Sequence, residues 1–213
     1  MFGFLTNLAL SAVSFLAGQT RVAPGLARVL RARSMVGRGM YGLGSGGRDP
    51  HAASPFGEYQ PRKGEAPDRI AARRALGRVW CDCSGFVAWV IGMARRLPGY
   101  ARGWGYISTD GLIADANDPK RELVEWVRVG ETVYPGDLLV YGAIDSDNDG
   151  DRDAIGHVAI VSHVPDGWVY TGPASLAALT IIHCASSKHP GGGAVRESLA
   201  TAFAKRGGVL RVW

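Results

Sequence analysis

Beyond Pro135 the chain becomes a series of short β-rich runs, DLLVYG, HVAIVSHV, GWVYTG, LTIIHC and GVLRVW, separated by Gly, Pro and Asp turns. This texture constrains the fold more than any other feature, because strands joined without helical crossovers pair as antiparallel neighbours. Helical patterns stand mostly ahead of it. Residues 26–38 alternate apolar and arginine positions, and APDRIAARRALGR reads as a short helix. SGFVAWVIGMARRLPG carries Phe86, Val90, Met93 and Leu97 on one face, with Arg95 and Arg96 near its C-terminal end and Pro98 as a stop. Ser108 or Thr109 is placed to cap a helix through GLIADA, and ESLATAFAKRGG reads as a last helix closed by Gly207. Helices first and an antiparallel sheet second is an α+β order, not the alternation of a parallel α/β fold.

Two divisions of the chain follow: an apolar and arginine-rich helical segment over 1–34, and one domain over 35–213. The opening stretch, MFGFLTNLALSAVSFLAGQTR, is short for a bilayer span and has no basic residue before Arg21. A leader, a helix lying on a membrane and a helix packed on the domain all remain open readings. From Gly37 to about Pro67 the chain is rich in Gly, Pro and charge, which reads as a long loop or lid. The net charge of +5 is concentrated before residue 80, where many arginines face only Asp49, Glu58, Glu65 and Asp68. Such a face suits an anionic cell surface or serves for solubility. No nucleic-acid motif or aromatic interleaving accompanies it, so a nucleic-acid partner is not expected.

The stretch WCDCSGFVAWV raises the question of chemistry. Cys81, Cys83 and Cys184 are too few for a disulfide scaffold, and an odd number leaves at least one thiol outside any intramolecular pair. Cys81 and Cys83 lack the spacer usual for structural zinc. If a helix begins near Ser84, Cys83 sits at its N-terminus, where unpaired N–H groups and the helix dipole favour a thiolate. The same N–H groups, that of Ser84 among them, suit an oxyanion. A histidine on a neighbouring rigid element would complete a nucleophile and base. His157 opens the run HVAIV and His183 ends LTIIH, so adjacent strands can bring the two imidazoles together. His163 lies at the far end of its strand, and His51 and His189 sit in Gly/Pro loops. Cys81 and Cys184 read first as small core residues, with a Cys81–Cys184 disulfide as the alternative.

Asp82-Cys83-Ser84-Gly85-Phe86, Pro135-Gly136-Asp137-Leu138, Gly156-His157-Val158-Ala159-Ile160 and Ile182-His183, in that order, resemble the NlpC-type cell-wall cysteine peptidases. These are papain-like enzymes with CHAP amidases as near relatives, and the resemblance covers roughly residues 35–213. It implies a papain-like fold in which the nucleophile's helix packs on a small antiparallel sheet. It implies Cys83 as nucleophile, His157 as general base and acid, His183 as the group orienting His157, and no cofactor for catalysis. The implied substrate is an amide bond of a peptidoglycan stem peptide, with action at the cell wall. Asp82 would be structural and Phe86 a core anchor. Tyr41, within MYGLGSGG, is the nearest counterpart of a Tyr-x-x-Gly-Gly element beside the nucleophile, here followed by a long insertion.

DSDNDGDRD is a second signal. Asp145, Asp147, Asp149, Asp151 and Asp153 surround Gly150 with the alternation that a structural calcium ion requires, but Gly156 stands where a bidentate glutamate would close the site. A hydrated acidic hairpin fits equally. Two other functions compete with the leading one: a hydrolase of another amide or thioester, and a non-catalytic cell-wall-binding, phage or secretion module.

Overall fold

The computed structural model describes residues 24–97, 100, 105–120, 122–144, 155–186 and 193–213. Six strands form one antiparallel sheet: β3 (Val124–Trp126), β4 (Leu138–Tyr141), β5 (His157–His163), β6 (Thr180–Cys184), β7 (Val195–Leu199) and β8 (Gly208–Val212). Their order across the sheet is β3-β8-β4-β5-β6-β7, so the sequence expectation of an α+β fold with an antiparallel sheet holds. A parallel pair, β1 (Met40–Tyr41) with β2 (Trp80–Cys81), stands apart and aligns Tyr41 with Cys81.

Strand alternation divides the core in two. Val158, Ile160, Ile182 and Cys184 face one way and join Cys83, Phe86 and Trp89. Ala159, Val161 and Ile181 face the other way and meet Leu176, Leu179 and Phe203. The first face is covered by α3 (Cys83–Val90), all of whose residues are buried. Residues 24–33 form α1, and its Val29 and Ala32 enter that same core together with Met35. Arg31 of α1 lies 4.0 Å over the Trp89 ring, and Arg33 pairs with Glu197 at 3.0 Å. Some of the arginine-rich face is therefore spent on internal pairing. Both α2 (Pro67–Ala75) and α4 (Thr109–Asn117) form where the pattern placed them, with the Ser108 hydroxyl accepting from Gly111 N–H at 3.0 Å as the cap of α4.

Three expectations are corrected. The helix expected to reach Pro98 ends at Val90, and Gly92 takes φ +77°. The chain turns back because Arg95 is drawn to Asp82 at 2.7 Å instead of lying at a helix end. The helix expected over 197–208 is instead strand β7 followed by one turn of 3-10 helix at Thr201–Phe203. Pairing with β6, Arg196 opposite His183 and Ser198 opposite Ile181, overrides the local helical pattern. GWVYTG is a loop; Tyr170 is buried against the second core and its carbonyl accepts from Gly130 N–H at 2.8 Å. The apolar opening stretch 1–23, the acidic run 145–153 and His189 lie outside the described residues, as does any calcium site there. Among the described residues no group of side chains suits a metal ion, and no helix is long and apolar enough to cross a membrane.

Candidate functional site

Cys83 is the first residue of α3, one position ahead of the expected start near Ser84. The Asp82 carboxylate caps the helix by accepting from Gly85 N–H at 2.8 Å, and it also accepts from Gly44 N–H at 2.6 Å and from Arg95 at 2.7 Å. Arg95 reaches the Ser45 carbonyl as well, at 2.9 Å. The glycine-rich segment 42–47 is thereby strapped across the start of α3. Only glycine permits the approach: a Cβ on Gly47, whose φ is +67°, would stand 2.2 Å from the Gly85 carbonyl oxygen. Asp82 is thus a structural residue, and what fixes the thiol is a buried, charge-assisted network.

The Ser84 hydroxyl is committed to that network, donating to Asp82 at 3.1 Å and accepting from Arg95 at 3.1 Å. What Ser84 offers to an oxyanion is therefore its backbone N–H. Burial pushes the Cys83 thiol up to about 12, and Asp82 adds to this, while the Val158 and Ser84 N–H groups and Arg95 favour the thiolate. Cys81 and Cys184 are free thiols in the apolar core, and the Cys184 thiol donates to the Cys81 carbonyl at 3.3 Å. Both serve as packing residues, and the alternative disulfide is not formed.

The structure brings His157 and His183 together: His157 Nε2 and His183 Nδ1 are 2.7 Å apart, with ring centroids at 5.0 Å. The His157 ring lies 5.9 Å from Tyr141 and 5.7 Å from Phe203, on the second-core side of the sheet. Cys83 belongs to the first face, and its sulfur feels the N–H of Val158, the residue after His157. Cys83 thus approaches the N-terminal end of β5 from the first face, and His157 is the residue that opens that strand. His51 and His163 are exposed and take no part.

On its far side, His183 Nε2 meets Ser198 Oγ at 3.1 Å and Arg196 Nε at 3.3 Å. These neighbours make different demands. Arginine can only donate, which requires Nε2 to accept, whereas serine can receive the imidazole proton. A basic lone pair on His157 Nδ1 requires His157 Nε2–H to donate to His183 Nδ1, hence His183 Nε2–H to donate to Ser198. Burial pulls His157 down to about 4, with Arg196 adding to the fall and Asp82 opposing it. Neutral imidazole and neutral thiol are consequently the resting forms across the neutral range. Arg196 and Ser198 are functional neighbours that the sequence does not single out: Ser198 falls within the segment of helical pattern 197–208 and Arg196 just ahead of it.

Tyr41 lines a cavity of about 380 Å³ with His157, His183, Arg62 and Arg196, so the glycine-segment tyrosine does border the site. Burial raises its hydroxyl well above the usual range, and the neighbouring Cys83 adds to this. A separate cavity of about 250 Å³, lined by Gly25, Arg28 and Trp213, lies between α1 and the strand ends at the start of β4 and the close of β8, and neither histidine borders it.

Residues 74–172 match the model of the CHAP domain family. That span contains Cys83 and His157 and stops short of His183. Among solved structures, NlpC2 from Trichomonas vaginalis is similar over 88% of this chain and 45% of that one, at 13% identity and a TM-score of 0.42. The present chain thus spans less than half the length of that relative. No curated protein matches this chain.

Proposed function

We propose that this chain, with its CHAP-family region, is a cysteine amidase that cleaves amide bonds in bacterial cell-wall stem peptides through Cys83, His157 and His183. The observation that carries the reading is the 2.7 Å bond between His157 and His183 on neighbouring strands, at the strand end against which the helix bearing Cys83 packs.

The thiol and imidazole start neutral. His157 Nδ1 takes the Cys83 proton as sulfur attacks the scissile carbonyl carbon. The carbonyl π electrons move to oxygen, which is held by the N–H groups at the start of α3, Ser84 included. When the tetrahedral adduct collapses, the C–N bond breaks and His157 returns its proton to the leaving amine. Water then attacks the thioester carbon, giving a proton to His157; the C–S bond breaks, His157 returns that proton to sulfur, and the acid product leaves as its carboxylate. His183 holds the ring of His157 throughout and stabilises its charged form. No metal enters any step. A structural calcium ion in the acidic run 145–153 is a separate proposal. The absence of heat and of a thermal shift on titration with calcium would remove it.

The test is to incubate purified peptidoglycan with the wild-type protein and with Cys83→Ala, and to analyse released fragments by mass spectrometry. Release by the wild type alone is expected. Equal release by both would move the nucleophile elsewhere. Release by neither would favour a different amide or thioester, or a binding role.

A further inference from the structure

The cavity beside the histidines does not end there. A second cavity of about 450 Å³ shares Tyr41, Arg62 and Ser186 with it, so the two form one groove leading away from the site. Its charge is one-sided. Arg196 stands on one wall near the histidines, while Arg62, Lys63 and Arg69 line the other arm. The one acidic side chain among the described lining residues, Glu65, is already engaged by Arg73 at 2.8 Å and by the Tyr59 hydroxyl at 2.6 Å. Arg62 occupies the junction of both cavities and is exposed. Among the described residues no carboxylate forms an ion pair with its guanidinium. Its backbone N–H donates to Glu65 at 3.2 Å, and its guanidinium acts on that carboxylate only through space.

Cations gathered in a groove whose one acidic lining residue is already engaged repel one another until a further anion arrives, and low-dielectric walls focus their field. A guanidinium presents a planar pair of donors matched to a carboxylate. We propose that the substrate carries a free carboxylate on the segment lying in this groove, and that Arg62 is the specificity-determining residue that binds it, with Arg196 contributing charge from the opposite wall. This rests on the cysteine amidase reading above and narrows its substrate to peptides with an anionic group flanking the scissile amide. Arg62 belongs to the long segment between the glycine-rich strap and Cys83, so that segment acquires a role in recognition.

Two measurements test it. In the first, Cys83 is alkylated with iodoacetate, an anion, and with neutral iodoacetamide, in wild type and Arg62→Gln, and modification is located by peptide mass. The iodoacetate-to-iodoacetamide rate ratio should be roughly fivefold higher in the wild type, and the difference should shrink in high salt. Equal ratios in the two proteins would overturn the proposal while leaving the nucleophile in place. No alkylation of Cys83 by either reagent would overturn the cysteine amidase reading and this proposal with it. In the second, native peptidoglycan is compared with peptidoglycan whose carboxylates have been converted to amides. The wild type should lose roughly tenfold or more in rate on the amidated wall. Arg62→Gln should be slowed on the native wall but unchanged on the amidated one, and Arg62→Lys should recover part of the difference. Equal digestion of both walls by the wild type would also overturn it.

Discussion

The cysteine side of the site is enclosed and saturated with hydrogen bonds, whereas the histidine side borders an open, cationic groove. Around Cys83, the Asp82 carboxylate is 1% exposed and is shared among a helix terminus, a glycine strap and Arg95. Around His157, an imidazole pair sits at a strand end beside a cavity, supported from behind by Ser198 and Arg196. One side needs a fixed sulfur and the other needs a movable proton. Stability and chemistry are consequently carried by different residues, although these lie within one site.

The largest effect should come from the histidine side. His157→Ala is expected to lower peptidoglycan hydrolysis by about 10²–10⁴-fold, the usual share of a general base, with a thermal midpoint close to that of the wild type. A variant that retained activity would break the comparison at its centre. The reverse pattern is expected for Arg95→Ala, which touches no substrate. It leaves Asp82 buried without its cation and should cost about 3–5 kcal/mol of unfolding free energy. Denaturant unfolding measures this, and a loss below about 1 kcal/mol would show that the glycine strap alone satisfies the carboxylate.

Arg196→Gln sharpens the same contrast through pH. His157 serves as base only when neutral, and it is held down at about 4, so the acid limb of activity should lie near there in the wild type. Removing the cation takes away one lowering cause, so the limb should move to higher pH while activity at neutral pH survives. A limb that stays in place would mean that burial alone sets the value. The smallest effect is expected away from both sides: Ser108→Ala removes the cap of α4 and should cost about 1 kcal/mol with hydrolysis unchanged.

Much of this was legible in the sequence where the causes are local. Asp82-Cys83-Ser84-Gly85 specifies a capped helix start because a carboxylate, a small residue and an amide three positions on close a short ring. The strand runs that carry His157 and His183 follow from short continuous apolar, β-branched-rich stretches, buried on both faces. Arg95 has a plausible local use at a helix end, whereas its partner in the fold is Asp82, the cap at the start of α3. ESLATAFAKRGG has a helical composition, and nothing within the segment reveals that an unpaired edge of β6 is waiting for it.

The sequence alone pointed to an antiparallel sheet, to Cys83 at a helix start and to His157 and His183 on strands, because propensity and capping act over a few residues. The tertiary structure alone decided which strand backs His183, which carboxylate Arg95 serves and that two arginines from distant segments face one groove. Those outcomes depend on hydrogen-bond register and charge proximity between residues far apart in the chain, and such distances are set only when the sheet closes and water leaves the core.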